Sequence, residues 1–161
     1  MLIPKEHIMP NPQFSVLMTE VLKKGKAFRF QASGSSMDPF IKDGDILTLV
    51  DVSQGEIKIG NVLSFIHPHN RKLMVHRVVN IKQKFYLMKP DHSANVDGWV
   101  THQEIIGIVH SVERGESLIQ FGNGWEKWWI AHLSRWNVLM PIIRLLWRFV
   151  PQKIKNRIQG K

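Results

Sequence analysis

Short apolar or alternating segments, separated by turn-forming residues, constrain most strongly what this chain can fold into. Each segment has the length of a β-strand and is rich in β-branched or aromatic side chains. They are AFRFQA (27–32), DILTLVD (45–51), NVLSFIH (61–67), LMVHRVVN (73–80), KFYLMK (84–89) and EIIGIVHSV (104–112). Because long helical segments between them are lacking, the pattern predicts an all-β sheet or partly open barrel.

The segment before the first strand has helical periodicity and ends at Gly25. It places apolar residues on roughly one face of a short predicted helix over residues 13–24. These residues are Phe14, Val16, Leu17, Val21 and Leu22. Further on, Lys42 to Asp45 predicts a turn, and His67 to Lys72 predicts a hairpin loop whose return strand carries His76.

The charge is unevenly distributed along the 161 residues, which carry a formal net charge of +9. Eight of the 22 basic side chains, but only one of the 13 acids, lie in residues 123–161. We therefore expect an N-terminal arm and helix (1–26), a β-rich core (27–122) and a basic helical tail (123–161). The absence of Cys excludes disulfides and thiolate metal sites.

The tail combines basic residues with five of the six tryptophans. Its longest charge-free stretch is far shorter than the roughly 20 apolar residues of a bilayer span, so we expect peripheral contact with an anionic membrane. The candidate contact residues are Trp125, Trp128, Trp129, Trp136, Trp147, Arg144 and Arg148. Core helices packed on the sheet are the alternative, and nucleic acid is a less favoured partner because no helix-turn-helix pattern is present.

One segment carries the features of a nucleophile turn. Ser36-Met37-Asp38-Pro39 follows a predicted strand in a Gly/Ser turn, and Gly44-Asp45 opens the next strand. These residues resemble the nucleophile box of the signal-peptidase superfamily, which includes membrane signal peptidases and the self-cleaving SOS and phage repressors. The likeness extends from about Ala27 to Gly115. It implies a signal-peptidase-like β core in which Ser36 is the nucleophile.

The general base implied by this resemblance is His76. His76-Arg77-Val78 is similar to the His-type members of the endoplasmic reticulum and archaea, whereas bacterial signal peptidases and repressors carry Lys there. Histidine ordinarily titrates near pH 6.5, so it can accept a serine proton near neutrality with little tuning.

Two acids match the third box of the His-type family, in which a second Asp follows the first by six residues. They are Asp91 and Asp97. A carboxylate is needed to orient an imidazole base. We favour Asp97 as the partner of His76, with Asp91 holding the loop or sharing the task.

The oxyanion hole differs from that of many membrane signal peptidases, because Gly34 replaces the serine that donates a side-chain hydrogen bond there. The N–H of Ser36, with Ser35 or Ser33, is expected to serve instead. Met37 and Pro39 complete the predicted substrate-binding turn. Losing one donor costs roughly 3 kcal/mol of transition-state stabilisation, which predicts a slow enzyme.

A metal site is a weaker interpretation of the histidines. His67, His69, His76 and His92 with Asp91 are candidate ligands, but Pro68 lies between the first two in a predicted loop, where solvated side chains are the ordinary arrangement. We expect neither a metal nor a cofactor.

The leading hypothesis is a serine endopeptidase that cleaves leader or signal peptides after small residues. It is expected at the cytoplasmic face of a membrane if no export signal is present. A dedicated leader peptidase of a modified-peptide pathway and a catalytically idle peptide-binding module are alternatives. Self-cleavage ranks low because no Ala-Gly or Cys-Gly pair precedes Ser36. Oligomeric state, cleavage sequence and physiological substrate are left open.

Overall fold

The alternating segments form strands in the computed structural model, which describes residues 2–3 and 12–120. The helix α1 spans Pro12–Lys23, and 3₁₀ turns span Val52–Gln54 and His102–Glu104. The strands are β1 Leu2–Ile3, β2 Phe28–Gln31, β3 Ile46–Val50, β4 Val62–Ile66, β5 Leu73–Lys82, β6 Phe85–Lys89, β7 Gly98–Thr101, β8 Ile105–Arg114 and β9 Ser117–Gln120. The predicted mainly β class is confirmed.

All the described strands belong to one sheet. Its order is β1-β2-β3-β8-β4-β5-β6-β7, and β9 pairs with β8. Every pairing is antiparallel except that of β1 with β2. Because β1 and β7 do not pair with each other, the sheet formed by the described strands is open.

The six predicted strands match β2 to β6 and β8 within two residues at each end. Three further strands escaped the sequence analysis, namely β1, β7 and β9. They are short and have few alternating positions, so their pairing depends on neighbours that are distant in sequence.

The predicted extent of the helix is confirmed, but the prediction of its buried face was partly wrong. Phe14, Met18 and Leu22 are buried, whereas Val16 and Leu17 are 61% and 49% exposed. The buried residues are spaced by four, so they lie along one side of the helix, whereas Val16 and Leu17 point away from that row. Gly25, with φ +70, follows the helix in a left-handed conformation that favours glycine.

Two clusters of buried side chains stabilise the sheet. The first joins α1 to β2, β3 and β8 and includes Met37 and Ile41 from the turn after β2. The second lies along β4 to β7 and includes Phe65 and Met88. Since both clusters reach the start of β5, the turn after β2 and the first half of β5 are held against each other.

The predicted tail, residues 123–161, lies outside the described residues, and its membrane contact stays a prediction. The named residues are Trp125, Trp128, Trp129, Trp136, Trp147, Arg144 and Arg148. Within residues 2–3 and 12–120, no helix has the length and apolar character needed to cross a membrane.

Candidate active site

The turn that carries Ser36 follows β2 directly and is held by its own backbone hydrogen bonds. Gly34, with φ +95, adopts a left-handed conformation that favours glycine, and its N–H donates to Asp43 Oδ1 at 3.0 Å. The N–H groups of Phe40 and Ile41 donate to the carbonyl of Met37 at 3.1 and 3.0 Å. The turn is therefore fixed while the Ser36 side chain stays exposed.

An ion pair between the buried Asp45 and the half-buried Arg114 supports this turn. Asp45 is 3% exposed and accepts hydrogen bonds from Arg114 Nε at 2.9 Å and Nη2 at 2.7 Å. These hydrogen bonds raise the pKa of the Arg114 guanidinium. Arg114 Nη2 also donates to the carbonyl of Phe40 at 3.2 Å. Sequence reasoning missed Arg114, because nothing in the spacing of Asp45 pointed to a partner 69 residues away.

His76 lies in the first half of β5, facing the turn. Its side chain is buried, and its Nε2 lies 3.1 Å from Ser36 Oγ. Its Nδ1 forms a hydrogen bond with the carboxylate of Asp97. The backbone N–H of Asp97 donates to the carbonyl of Met88 at 2.9 Å, which ties this acid to the end of β6.

Asp97, His76 and Ser36 thus form a continuous line of hydrogen-bonding groups. In such an arrangement a carboxylate fixes the tautomer of an imidazole, which can then take the proton of a serine hydroxyl. The distance from Oγ to Nε2 is within the range that proton transfer requires.

The other candidate acid, Asp91, lies against Arg77 rather than His76. Arg77 Nε and Nη2 donate to the two carboxylate oxygens of Asp91 at 2.8 and 2.7 Å, and both side chains are fully buried. Arg77 Nη1 donates to the carbonyl of Gly60 at 2.9 Å, and the guanidinium lies 5.3 Å from the centre of the Phe40 ring. The two acids that the sequence left as alternatives therefore have different partners.

We expect Asp91→Ala to destabilise the fold by about 3–5 kcal/mol, because it leaves the Arg77 guanidinium buried without its counter-charge. The free energy of unfolding in urea measures this loss. Glu56→Ala is the matched control, since it removes one acid of an exposed ion pair with Lys58 and should cost at most about 1 kcal/mol. Equal losses in the two variants would contradict the structural role of Asp91.

A cleft of about 370 Å³ opens beside Ser36 and His76. One wall is formed by residues 31–34 and the other by residues 73–76. Residues 73–76 pair with β4, whereas the pairing of β5 with β6 begins only at Arg77. Because strands with an unpaired edge can accept a further strand, this cleft suits an extended peptide.

Apolar side chains supply most of the remaining lining. They are Phe14, Phe30, Met37, Ile41 and Leu47. Phe14 comes from α1 and packs edge to face against Phe30, with ring centres 6.1 Å apart. The helix therefore contributes to the cleft, which the sequence analysis did not foresee.

The predicted oxyanion and substrate-binding residues are distributed around this cleft. Ser33 and the buried Met37 line it, whereas Ser35, although exposed, is not among the lining residues. Pro39 is half-buried and follows a cis peptide bond with Asp38. Within the described part of the chain, the backbone N–H of Ser36 donates to no protein acceptor, so it is available to a ligand.

The histidines considered as metal ligands do not gather in the structure. The rings of His67 and His69 lie 5.7 Å apart on the loop between β4 and β5, while His76 is occupied by Ser36 and Asp97. Among residues 2–3 and 12–120, no group of three or more His, Asp or Glu side chains could hold a metal ion.

Comparison with known proteins identifies the family of this chain. No curated protein matches the chain. The family model described as peptidase S24-like matches residues 4–110, about two thirds of the chain. The match covers the turn of Ser36, the whole of β5 and the loop that carries Asp97. The chain therefore belongs to the peptidase S24-like family, within the superfamily that unites SOS repressors and signal peptidases.

Proposed function

We propose that this protein is a serine endopeptidase that cleaves leader or signal peptides after small residues. Ser36 is the nucleophile, His76 the general base and Asp97 the group that orients His76. The observation that carries the proposal is the line of hydrogen bonds from Asp97 through His76 to Ser36, which ends at an open, peptide-sized cleft.

The reaction begins when the peptide adds to the strand edge at residues 73–76 and brings its scissile carbonyl to Ser36 Oγ. His76 Nε2 takes the hydroxyl proton as the carbon–oxygen bond forms, and Asp97 stabilises the resulting imidazolium. The backbone N–H of Ser36 donates to the oxyanion. His76 then protonates the leaving amine, and a water molecule hydrolyses the acyl-enzyme by the same steps in reverse.

The cleft also supports the proposed preference. Its lining is mostly apolar, so small apolar side chains gain more from entering it than charged ones. The restriction to small residues follows from the resemblance to signal peptidases. A dedicated leader peptidase would use the same residues on one precursor.

Peptide-library cleavage tests this function, together with labelling by a fluorophosphonate probe. We expect the folded protein to cut a defined subset of peptides and the probe to attach to Ser36, which peptide mapping identifies. Protein labelled to completion should no longer cut. Ser117→Ala, a change at an exposed serine on β9, should leave both cleavage and labelling unchanged.

Two results would contradict the proposal. Cleavage that persists in fully labelled protein would assign hydrolysis to another group. Binding of peptides in the cleft with no labelling of Ser36 would favour the idle peptide-binding module. That module would use the same strand edge without the chemistry.

A further inference from the structure

The loop from residue 90 to residue 97 contacts Ser36, His76 and the buried Arg77 beside them. The N–H of His92 donates to the carbonyl of Ser36 at 3.0 Å. Asp91 pairs with Arg77, and Asp97 bonds to His76. The position of Asp97 therefore depends on the conformation of this loop as well as on the bond from its own N–H to the carbonyl of Met88.

A lysine that the proposed mechanism does not use lies at the base of this loop. Lys89 is the last residue of β6 and is 2% exposed. Its Nζ donates to the carbonyl of Ser93 at 2.6 Å and lies 3.5 Å from the carbonyl of Pro90. The ammonium thus binds two carbonyls on the segment between β6 and Asp97.

The charged side chains around Lys89 belong to the candidate active site or pack directly against it. Its strand partner is Arg77, and both Asp91 and Asp97 attract its ammonium. Burial nevertheless lowers the pKa of Lys89, against the attraction of these acids. The ammonium is thus buried at a desolvation cost, which its hydrogen bond to Ser93 and the two acids offset in part.

We propose that Lys89 is a positioning residue of the peptidase site, whose Nζ holds the carbonyl of Ser93 so that the loop presents Asp97 to His76. Neither Lys89 nor Asp97 lines the cleft. The lysine therefore acts on the rate of the chemical step and not on peptide binding. The expected effect of Lys89 on kcat rests on the proposed function. Its effect on the contact between Asp97 and His76 is measurable without a peptide.

Lys89→Met keeps an unbranched side chain of nearly the same length and removes its hydrogen bonds. We expect kcat to fall about 10- to 100-fold with KM unchanged, since a displacement of about 1 Å in a catalytic group has an effect of that size. In an Asp97→Ala background the same substitution should have no further effect on kcat, because Lys89 acts through Asp97.

Chemical rescue separates positioning from simple loss of packing. The chain contains no Cys, so alkylation of unfolded Lys89→Cys with bromoethylamine modifies only that position. The aminoethyl product restores an amine at the end of a side chain of similar length. We expect refolded, aminoethylated protein to recover most of the lost kcat, whereas alkylation with bromoethane, which adds an ethyl group without a hydrogen-bond donor, should not restore it.

A readout that needs no substrate is the proton resonance of His76 Nδ1. In the parent protein we expect a strongly deshielded signal, because this proton lies between the imidazole and Asp97. The signal should broaden or disappear in Lys89→Met while circular dichroism and the unfolding midpoint show a folded chain. Its persistence in folded Lys89→Met, or an equal loss of kcat in the Asp97→Ala background, would overturn the proposal.

The two proposals fail in different ways. The peptidase assignment fails if the parent protein neither cuts peptides nor reacts with fluorophosphonate. The role of Lys89 in positioning Asp97 is then still decided by the His76 Nδ1 resonance, provided that the parent shows the deshielded signal. If Lys89→Met does not fold, the alkylated Lys89→Cys protein decides the question. Recovery of the signal by aminoethylation supports the proposal, and a folded aminoethylated protein without the signal contradicts it.

Discussion

Ser36→Ala and His76→Ala should each lower kcat by a factor of roughly 10⁴ to 10⁶, and the double variant should be no slower than the slower single one. The two groups act as a unit, since the hydroxyl is a weak nucleophile without the imidazole and the imidazole has no nucleophile to activate without the hydroxyl. Steady-state hydrolysis of the best library peptide measures the loss. KM should change little, because binding depends mainly on the strand edge and the apolar lining.

His92→Ala is the matched control for His76→Ala. It replaces another histidine, but one whose side chain is exposed and whose only described contact with the site is through its backbone N–H. We expect near-parent kcat from this control. Losses in the two single variants that multiply in the double variant would show that Ser36 and His76 act independently, contrary to the proposed mechanism.

Asp97→Asn should lower kcat by about 10⁴ while the chain stays folded. An amide at this position can donate to Nδ1 and thereby hold the imidazole in the tautomer that cannot accept the serine proton. The same replacement in serine proteases lowers kcat by about 10⁴. Asp97 is partly exposed, so the amide has access to water and the cost in stability should be small.

Asp91→Asn provides the contrast. Because Asp91 pairs with Arg77 and not with His76, this substitution should lower the free energy of unfolding more than Asp97→Asn does. Its effect on kcat at a temperature where it remains folded should be much smaller. If Asp91→Asn instead gave the larger loss of kcat, with Asp97→Asn close to the parent, the assignment of the two acids would be reversed. Hydrolysis and urea unfolding on both variants measure the two effects.

The strands could be predicted because each carries its signal locally. In β3 and β5, apolar residues alternate or run together between turn residues, and the period of the pattern identifies the structure. Helix α1 shows the limit of this reasoning. Its periodicity predicts a helix, but only packing against the sheet determines that Met18 is buried and Val16 exposed.

The candidate site was foreseen unevenly for the same reason. Ser36 and His76 stand in compact sequence motifs, so a resemblance over a few residues was enough to name them. Lys89 and Arg114 stand in no motif, and their significance comes from groups that reach them only in the folded chain.

The sequence by itself determined the mainly β class and the helix before it, because hydrophobic period does not depend on distant contacts, and its local motifs named Ser36 and His76 as the proposed nucleophile and base through a family resemblance. Only the tertiary structure decided which acid meets His76, which arginine meets Asp45 and where the cleft opens. These depend on loop conformation and on contacts between residues 14 to 69 positions apart, such as Arg77 with Asp91 and Arg114 with Asp45. Short-range patterns in a chain carry no information about which of several suitable charges will be brought together.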